Sequence, residues 1–127
     1  MSCAQLPHNH DEASRKILEN IPATEDFLAL AELFRQLSDG TRLRLFWLLC
    51  HCEECVTNLS AMMQMSSPAL SHHLRQLKAA GLIQSRRSGK EVYYKAVESR
   101  QAQILHDAFE DLMSITCPTP TEDSAAF

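Results

Sequence analysis

Residues 66–95 read SSPALSHHLRQLKAAGLIQSRRSGKEVYYK, and this stretch decides the fold. Ser66 or Ser67 can cap a helix, because a hydroxyl there accepts from an otherwise unpartnered backbone N–H. Pro68 fits the first turn, where no donor is needed. Leu70, Leu74 and Leu77 recur at helical spacing and form one buried stripe, which leaves Ser71, His72, Arg75, Gln76 and Lys78 on the other faces. Gly81 ends the helix. LIQSR and EVYYKAV then flank a basic turn, RSGK, as a hairpin, with Val92, Tyr93 and Tyr94 suited to a strand. A polar helix end next to a basic hairpin is the geometry that places one helix in a DNA major groove and a wing on the backbone.

The charge distribution agrees with this reading although the total does not. The chain carries a net charge of −4, which by itself argues against nucleic acid. Residues 67–95, however, hold Arg75, Lys78, Arg86, Arg87, Lys90 and Lys95 against Glu91 alone, a net of +5 that leaves −9 for the rest. An acidic body with one basic face can bind phosphate, because binding needs only the face.

The preceding segments supply the other half of a helix-turn-helix. CVTNLSAMMQM forms a short helix with Val56, Leu59 and Met62 or Met63 inward, joined to the next by a tight turn near Ser66. DGTRLRLFWLLCHC, capped by Asp39, is apolar on nearly every side after Leu43, as a central buried helix should be. TEDFLALAELFRQLS, with Thr24 as cap, has the stripe Phe27, Leu30, Ala31, Phe34 and Leu37. A last helix near residues 99–116 repeats that pattern with Leu105, Ala108, Phe109, Leu112 and Ile115. The expected fold is mainly α with a small β-hairpin, a winged helix-turn-helix of order α-α-α-α-β-β-α.

At 127 residues the chain makes one domain, read as an arm with a short helix over 1–23, a winged helix-turn-helix over 24–116 and a disordered tail over 117–127. No apolar run is long enough to span a bilayer, and MSCAQLPHNHDE lacks the form of a signal peptide, so a cytoplasmic protein is expected. Two long amphipathic helices have more apolar stripe than one hairpin and two short helices can cover. A homodimer is the expected answer, and a two-fold dimer brings two reading helices to a palindromic site.

From about Phe27 to Leu112 the chain resembles an ArsR/SmtB-type winged-helix transcriptional repressor. The residues that carry the likeness are LAELFRQLSDGTRLRLFWLL, EECVTNLS, SPALSHHLRQLKAAGLI and RRSGKEVYY. The resemblance implies a homodimer built on its first and last helices, which binds an operator when empty and leaves it when an effector binds. By position it puts Ser67, Pro68, Ser71, His72 and Arg75 of the reading helix, and Arg86, Arg87 and Lys90 of the wing, against double-stranded DNA.

The cysteines bear on what is sensed. Five cysteines without an export signal are expected to be reduced thiols, available as ligands or redox centres. Cys50, Cys52 and Cys55 cluster at the entry to the helix-turn-helix, and Cys3, His8 and His10 form a second soft-ligand group on the arm. Thiolate and imidazole together suit zinc, cadmium and related thiophilic ions. Cys50 shares an apolar stripe with Leu43, Phe46 and Trp47 and reads as a core thiol, while Cys52 stands open between ligand and spare thiol. In the family, an E-L-C-x-C or E-L-C-x-x-D pattern at this helix start is completed by Cys or His from the other subunit's arm. Cys55 matches the leading cysteine, but Thr57 replaces the second thiol and Asn58 the carboxylate. The candidate metal ligands are therefore Cys3, His8, His10, Cys52 and Cys55. The family's other frequent site, on the last helix, is expected to be absent, since Arg100 and Asp111 stand where histidines belong. His51 and the pair His106 and Glu110 read as ordinary exposed residues.

Other function classes leave part of the sequence unexplained. Cys52 and Cys55 have the C-x-x-C spacing of thiol oxidoreductases, but a helix precedes them instead of a strand, and no nucleophile–base set or phosphate loop accompanies them, so no enzyme is expected. A metal buffer leaves the basic wing without purpose. A repressor of the same fold switched by thiol oxidation or persulfidation uses the same cysteines and is the alternative.

Overall fold

The structure is a computed structural model and describes residues 6–8 and 10–116. Cys3, Cys117 and the tail over 117–127 lie outside the described residues. The elements run α1 (Glu12–Glu19), α2 (Thr24–Gln36), α3 (Gly40–His51), β1 (Glu54–Cys55), α4 (Val56–Met63), α5 (Ser67–Ala79), β2 (Ile83–Ser88), β3 (Glu91–Ala96) and α6 (Arg100–Thr116). They fall into two units that divide between Arg35 and Gln36.

In the first unit, Asp11 caps α1 by accepting from the Ser14 N–H at 3.0 Å. Thr24 is the first residue of α2 and not its cap, and Glu25 and Asp26 follow in the first turn, where the helix dipole favours negative charge. Phe27, Leu28, Leu30 and Phe34 are about half or more exposed.

The second unit is built around α3. Asp39 Oδ1 accepts from the Arg42 N–H at 2.9 Å and starts the helix. Leu45 and Phe46 are fully buried and Leu49 nearly so. The stripe Leu70, Leu74 and Leu77 of α5 is buried as its spacing requires, together with Leu59 and Met63 of α4. Met62 is exposed, which resolves the choice between the two methionines.

The turn between the two helices is set by Gln64, whose φ of 55° puts it in the left-handed region. Its own N–H and that of Met65 return to Ala61 and Ser60 carbonyls, closing the end of α4 with a motif that usually employs glycine. Ser66 is the cap of α5, its Oγ accepting from the Ala69 N–H at 3.3 Å. At the far end Gly81, at φ 76°, lets the Leu82 N–H reach the Leu77 carbonyl and stops the helix.

The hairpin is longer than its sequence suggests. Arg87 and Ser88 are paired with Val92 and Glu91, which leaves only Gly89 and Lys90 as the turn. Gly89, at φ 62°, gives this two-residue connection the twist that matches the strands. A third strand was not expected: β1 pairs with β3 through Glu54 with Tyr94 and Cys55 with Tyr93, making an antiparallel sheet of order β1-β3-β2. Ser99 Oγ caps α6 at the Ala102 N–H, 3.1 Å away, and Ala102 and Leu105 are buried. Phe109 sets its ring edge-on against buried Phe46, centroids 6.1 Å apart, while Ile104, Leu112, Met113 and Ile115 are exposed. Among the described residues no helix is long and apolar enough to cross a membrane.

Candidate nucleic-acid interface and ligand-binding side chains

The N-terminal end of α5 presents Ser67, Pro68 and Ala69 to solvent, followed one turn on by His72 and then Arg75. Ser71 is half-buried, and Ser67 Oγ lies 3.2 Å from Ser60 Oγ, so α4 helps to orient it. A helix N-terminus carries partial positive charge and unpaired N–H groups, a setting that favours phosphate.

The helix is held in place by a contact that the sequence did not advertise. Arg42 Nη1 donates to the Gln36 carbonyl at 3.1 Å and to Gln36 Oε1 at 3.0 Å, while its Nε donates to His73 Nδ1 at 3.3 Å. Gln36 is buried, so this guanidinium pins the middle of α5 to the start of α3. Burial holds the His73 ring below the usual histidine range, and nearby Arg42 adds to that against the opposing pull of Asp39.

The wing residues divide into two kinds. Strand periodicity sends Arg86 and Arg87 to opposite faces of the hairpin. Arg86 donates through Nε and Nη2 to both oxygens of Glu53 at 2.8 Å and lies over the Tyr93 ring at 4.9 Å. The hydrogen-bonded pair raises the Arg86 pKa and lowers that of Glu53. Arg87 and Lys90, like Arg75 on α5, are exposed and have no ionic partner among the described residues. Lys78 donates to Ser85 Oγ at 2.7 Å, which ties α5 to β2, and Lys95 faces Glu98 at 3.7 Å.

The thiols occupy different settings. Cys52 closes α3, with its N–H and Sγ both directed to the Leu48 carbonyl at 3.1 and 3.3 Å. Burial raises its thiol, and Glu54 adds to the effect. Cys55 is buried on β1. Cys50 is half-buried, with burial pushing its thiol up to about 11. The carboxylates between Cys52 and Cys55 are both engaged, Glu53 by Arg86 and Glu54 by Asn58 Nδ2 at 2.8 Å. On the arm, the His8 and His10 rings stack with centroids 5.5 Å apart.

The side chains that meet as a ligand group are ones the sequence set aside. Among the described residues, His51, His106 and Glu110 form a set of three whose ligating atoms lie within 4.8 Å of one another. His51 and His106 are 55 positions apart. Only the packing of α6 on α3 joins them, and the sole sequence signal was the i,i+4 spacing of His106 and Glu110. A cleft of about 620 Å³ adjoins them, lined by Cys50, His51, Cys52 and His106 among others.

Comparison with known proteins agrees with this geometry. Residues 39–85 match the profile described as bacterial regulatory protein, arsR family. The chain is 32% identical over 112 residues to the transcriptional repressor SmtB homolog of a Synechocystis species, covering 88% of this chain and 85% of that one. It is 29% identical to the cadmium resistance transcriptional regulatory protein CadC homolog of Staphylococcus aureus, over 83% of this chain and 87% of the other. Its fold matches the crystal structure of the transcriptional repressor BigR from Xylella fastidiosa with a TM-score of 0.61 and 27% identity, covering 84% and 97% of the two chains. With the helix-turn-helix, the paired wing and these relatives in agreement, the chain belongs to the ArsR/SmtB family of winged-helix transcriptional regulators, DNA-binding proteins and not enzymes.

Proposed function

We propose that the chain is a repressor that binds a palindromic operator as a homodimer and is released when a thiophilic metal ion binds near the helix-turn-helix. The observation that carries the DNA half is the set of exposed cations without an ionic partner among the described residues, Arg75 on α5 with Arg87 and Lys90 on the wing, in a chain of net charge −4. Ser67, Pro68, Ser71 and His72 face the bases in this reading, and Arg87 and Lys90 the phosphates. Arg86 contributes less, because Glu53 already neutralises it.

The exposed apolar residues of α2 and α6 supply the dimer surface. Covering the exposed half of residues such as Phe34 and Leu112 is worth about 0.8–1.5 kcal/mol each.

For the effector, Cys52 and Cys55 of one subunit are the thiols next to α4, and Cys3 with His8 or His10 from the other subunit's arm would complete a four-coordinate shell. Zinc or cadmium fits thiolate and imidazole together, and a relative is named for cadmium resistance. The raised Cys52 thiol makes binding compete with a proton, so affinity should rise with pH.

The test is a cadmium titration of the reduced protein on duplex DNA, following the near-ultraviolet thiolate charge-transfer band and DNA release together. The band and release should appear at the same metal concentration and both should weaken in Cys55→Ser. No band, with release produced by oxidant alone, would replace the metal by a redox effector.

A further inference from the structure

We propose that His51, His106 and Glu110 form a divalent-cation site of their own, with zinc as its occupant, separate from the thiols. It does not rest on the thiol–metal reading, and it involves one chain only.

The spacing suits the ion. His51 Nε2 and His106 Nε2 are 2.9 Å apart, and Glu110 Oε1 is 3.9 Å from His106 Nε2. A tetrahedral zinc with Zn–N distances of about 2.0–2.1 Å holds its ligand atoms about 3.3–3.4 Å apart. Seating the ion therefore moves the first pair apart and the second together by about half an ångström each, and the His51–Glu110 pair, within 4.8 Å, closes by up to about 1.4 Å, within reach of side-chain rotation.

The ligands are also held in the sense that a metal needs. Asp107 Oδ1 stands 3.1 Å from His106 Nδ1. An ionised carboxylate only accepts, so Nδ1 carries the proton and the His106 Nε2 lone pair accepts from His51 Nε2–H; a bound ion would take the place of that shared proton, with His51 turning to its other tautomer. Asp107 is itself fixed by the Gln103 side-chain amide at 2.9 Å. Glu110 Oε2 accepts from Trp47 Nε1 at 3.0 Å, which leaves Oε1 directed to the histidines. The Trp47 ring lies against that of His51, centroids 4.2 Å apart. The Asp107 carboxylate orients His106 and raises its basicity, and the indole N–H orients Glu110. Two imidazoles and one carboxylate suit a borderline ion such as zinc better than a soft one, and the fourth position falls to water. The ion would join the C-terminal end of α3 to the middle of α6.

The test uses the full-length, reduced, metal-free chain, with zinc followed by equilibrium dialysis and cobalt(II) as the spectroscopic probe. The variants are His51→Ala, His106→Ala, Glu110→Gln and the thiol variant Cys3→Ser/Cys52→Ser/Cys55→Ser. His51 and Glu110 are exposed, so their replacement spares the fold, which circular dichroism checks. The thiol variant should keep a site with the visible bands of tetrahedral cobalt and no thiolate charge transfer. His51→Ala and His106→Ala should each weaken that site at least about 100-fold and Glu110→Gln at least about 10-fold, while metal-free DNA binding stays unchanged. Loss of all zinc binding in the thiol variant, or unchanged binding in both histidine variants, would overturn the proposal.

Discussion

Arg86 and Glu53 are joined by two parallel hydrogen bonds of 2.8 Å, so the base of the wing is fastened to the segment between Cys52 and Cys55. The pair makes one of the wing's arginines electrically silent. Glu53→Gln should therefore unmask a cation and strengthen binding to any duplex at low salt, steepening the salt dependence by up to about one unit. Anisotropy titrations of labelled duplex across a salt series would show it, and equal slopes in variant and parent would mean that Arg86 lies away from the phosphates.

The exposed face of α6 is the proposed dimer surface and is distinct from the contacts that fold the chain. Leu112 is 57% exposed in the single chain, whereas Phe109 packs on Phe46. Leu112→Glu should give folded monomers by sedimentation with operator binding lost. Phe109→Glu should lower the melting temperature as well, because it also removes a contact to the core. A Leu112→Glu protein that stays dimeric at micromolar concentration would take α6 out of the interface.

His73 should make stability depend on pH in a defined direction. Its folded pKa is lowered, first by burial, so the unfolded chain binds more protons between that value and the ordinary 6.5. The contribution is complete above pH 6.5 and is lost as pH falls through the folded pKa. Protonation at Nδ1 would also set a donor against the Arg42 Nε–H. Urea midpoints measured from pH 7.5 down to pH 5 should fall more steeply for the parent than for His73→Gln, which keeps an acceptor for Arg42. Parallel curves would show that His73 is not the titrating group.

The starts of α3 and α5 are legible in the sequence because single side chains make them, the Asp39 and Ser66 caps, whereas Thr24 reads as a cap and is the first residue of α2. The α5 stripe was legible because Leu70, Leu74 and Leu77 face one core. β1 was not, since two residues carry no periodicity and its pairing is made by Tyr93 and Tyr94, about forty positions later. The hairpin was read too short because Arg87 and Ser88 are exposed and give no alternation. At the DNA face, the sequence named Arg86, Arg87 and Lys90 alike. The difference among them lies in Glu53, a partner 33 positions away. The same limit hid the contacts of Arg42 with His73 and of His51 with His106, which exist only once helices pack.

The central claim is that α5 and the wing engage duplex DNA through phosphate contacts. Its most direct test is the slope of log affinity against log salt for the reduced, metal-free protein on a palindromic duplex, compared with Arg87→Ala/Lys90→Ala. Each phosphate contact contributes about 0.9 to that slope, so the double variant should bind every duplex more weakly with a slope smaller by about one to two. An unchanged slope would remove the wing from the interface and contradict this account.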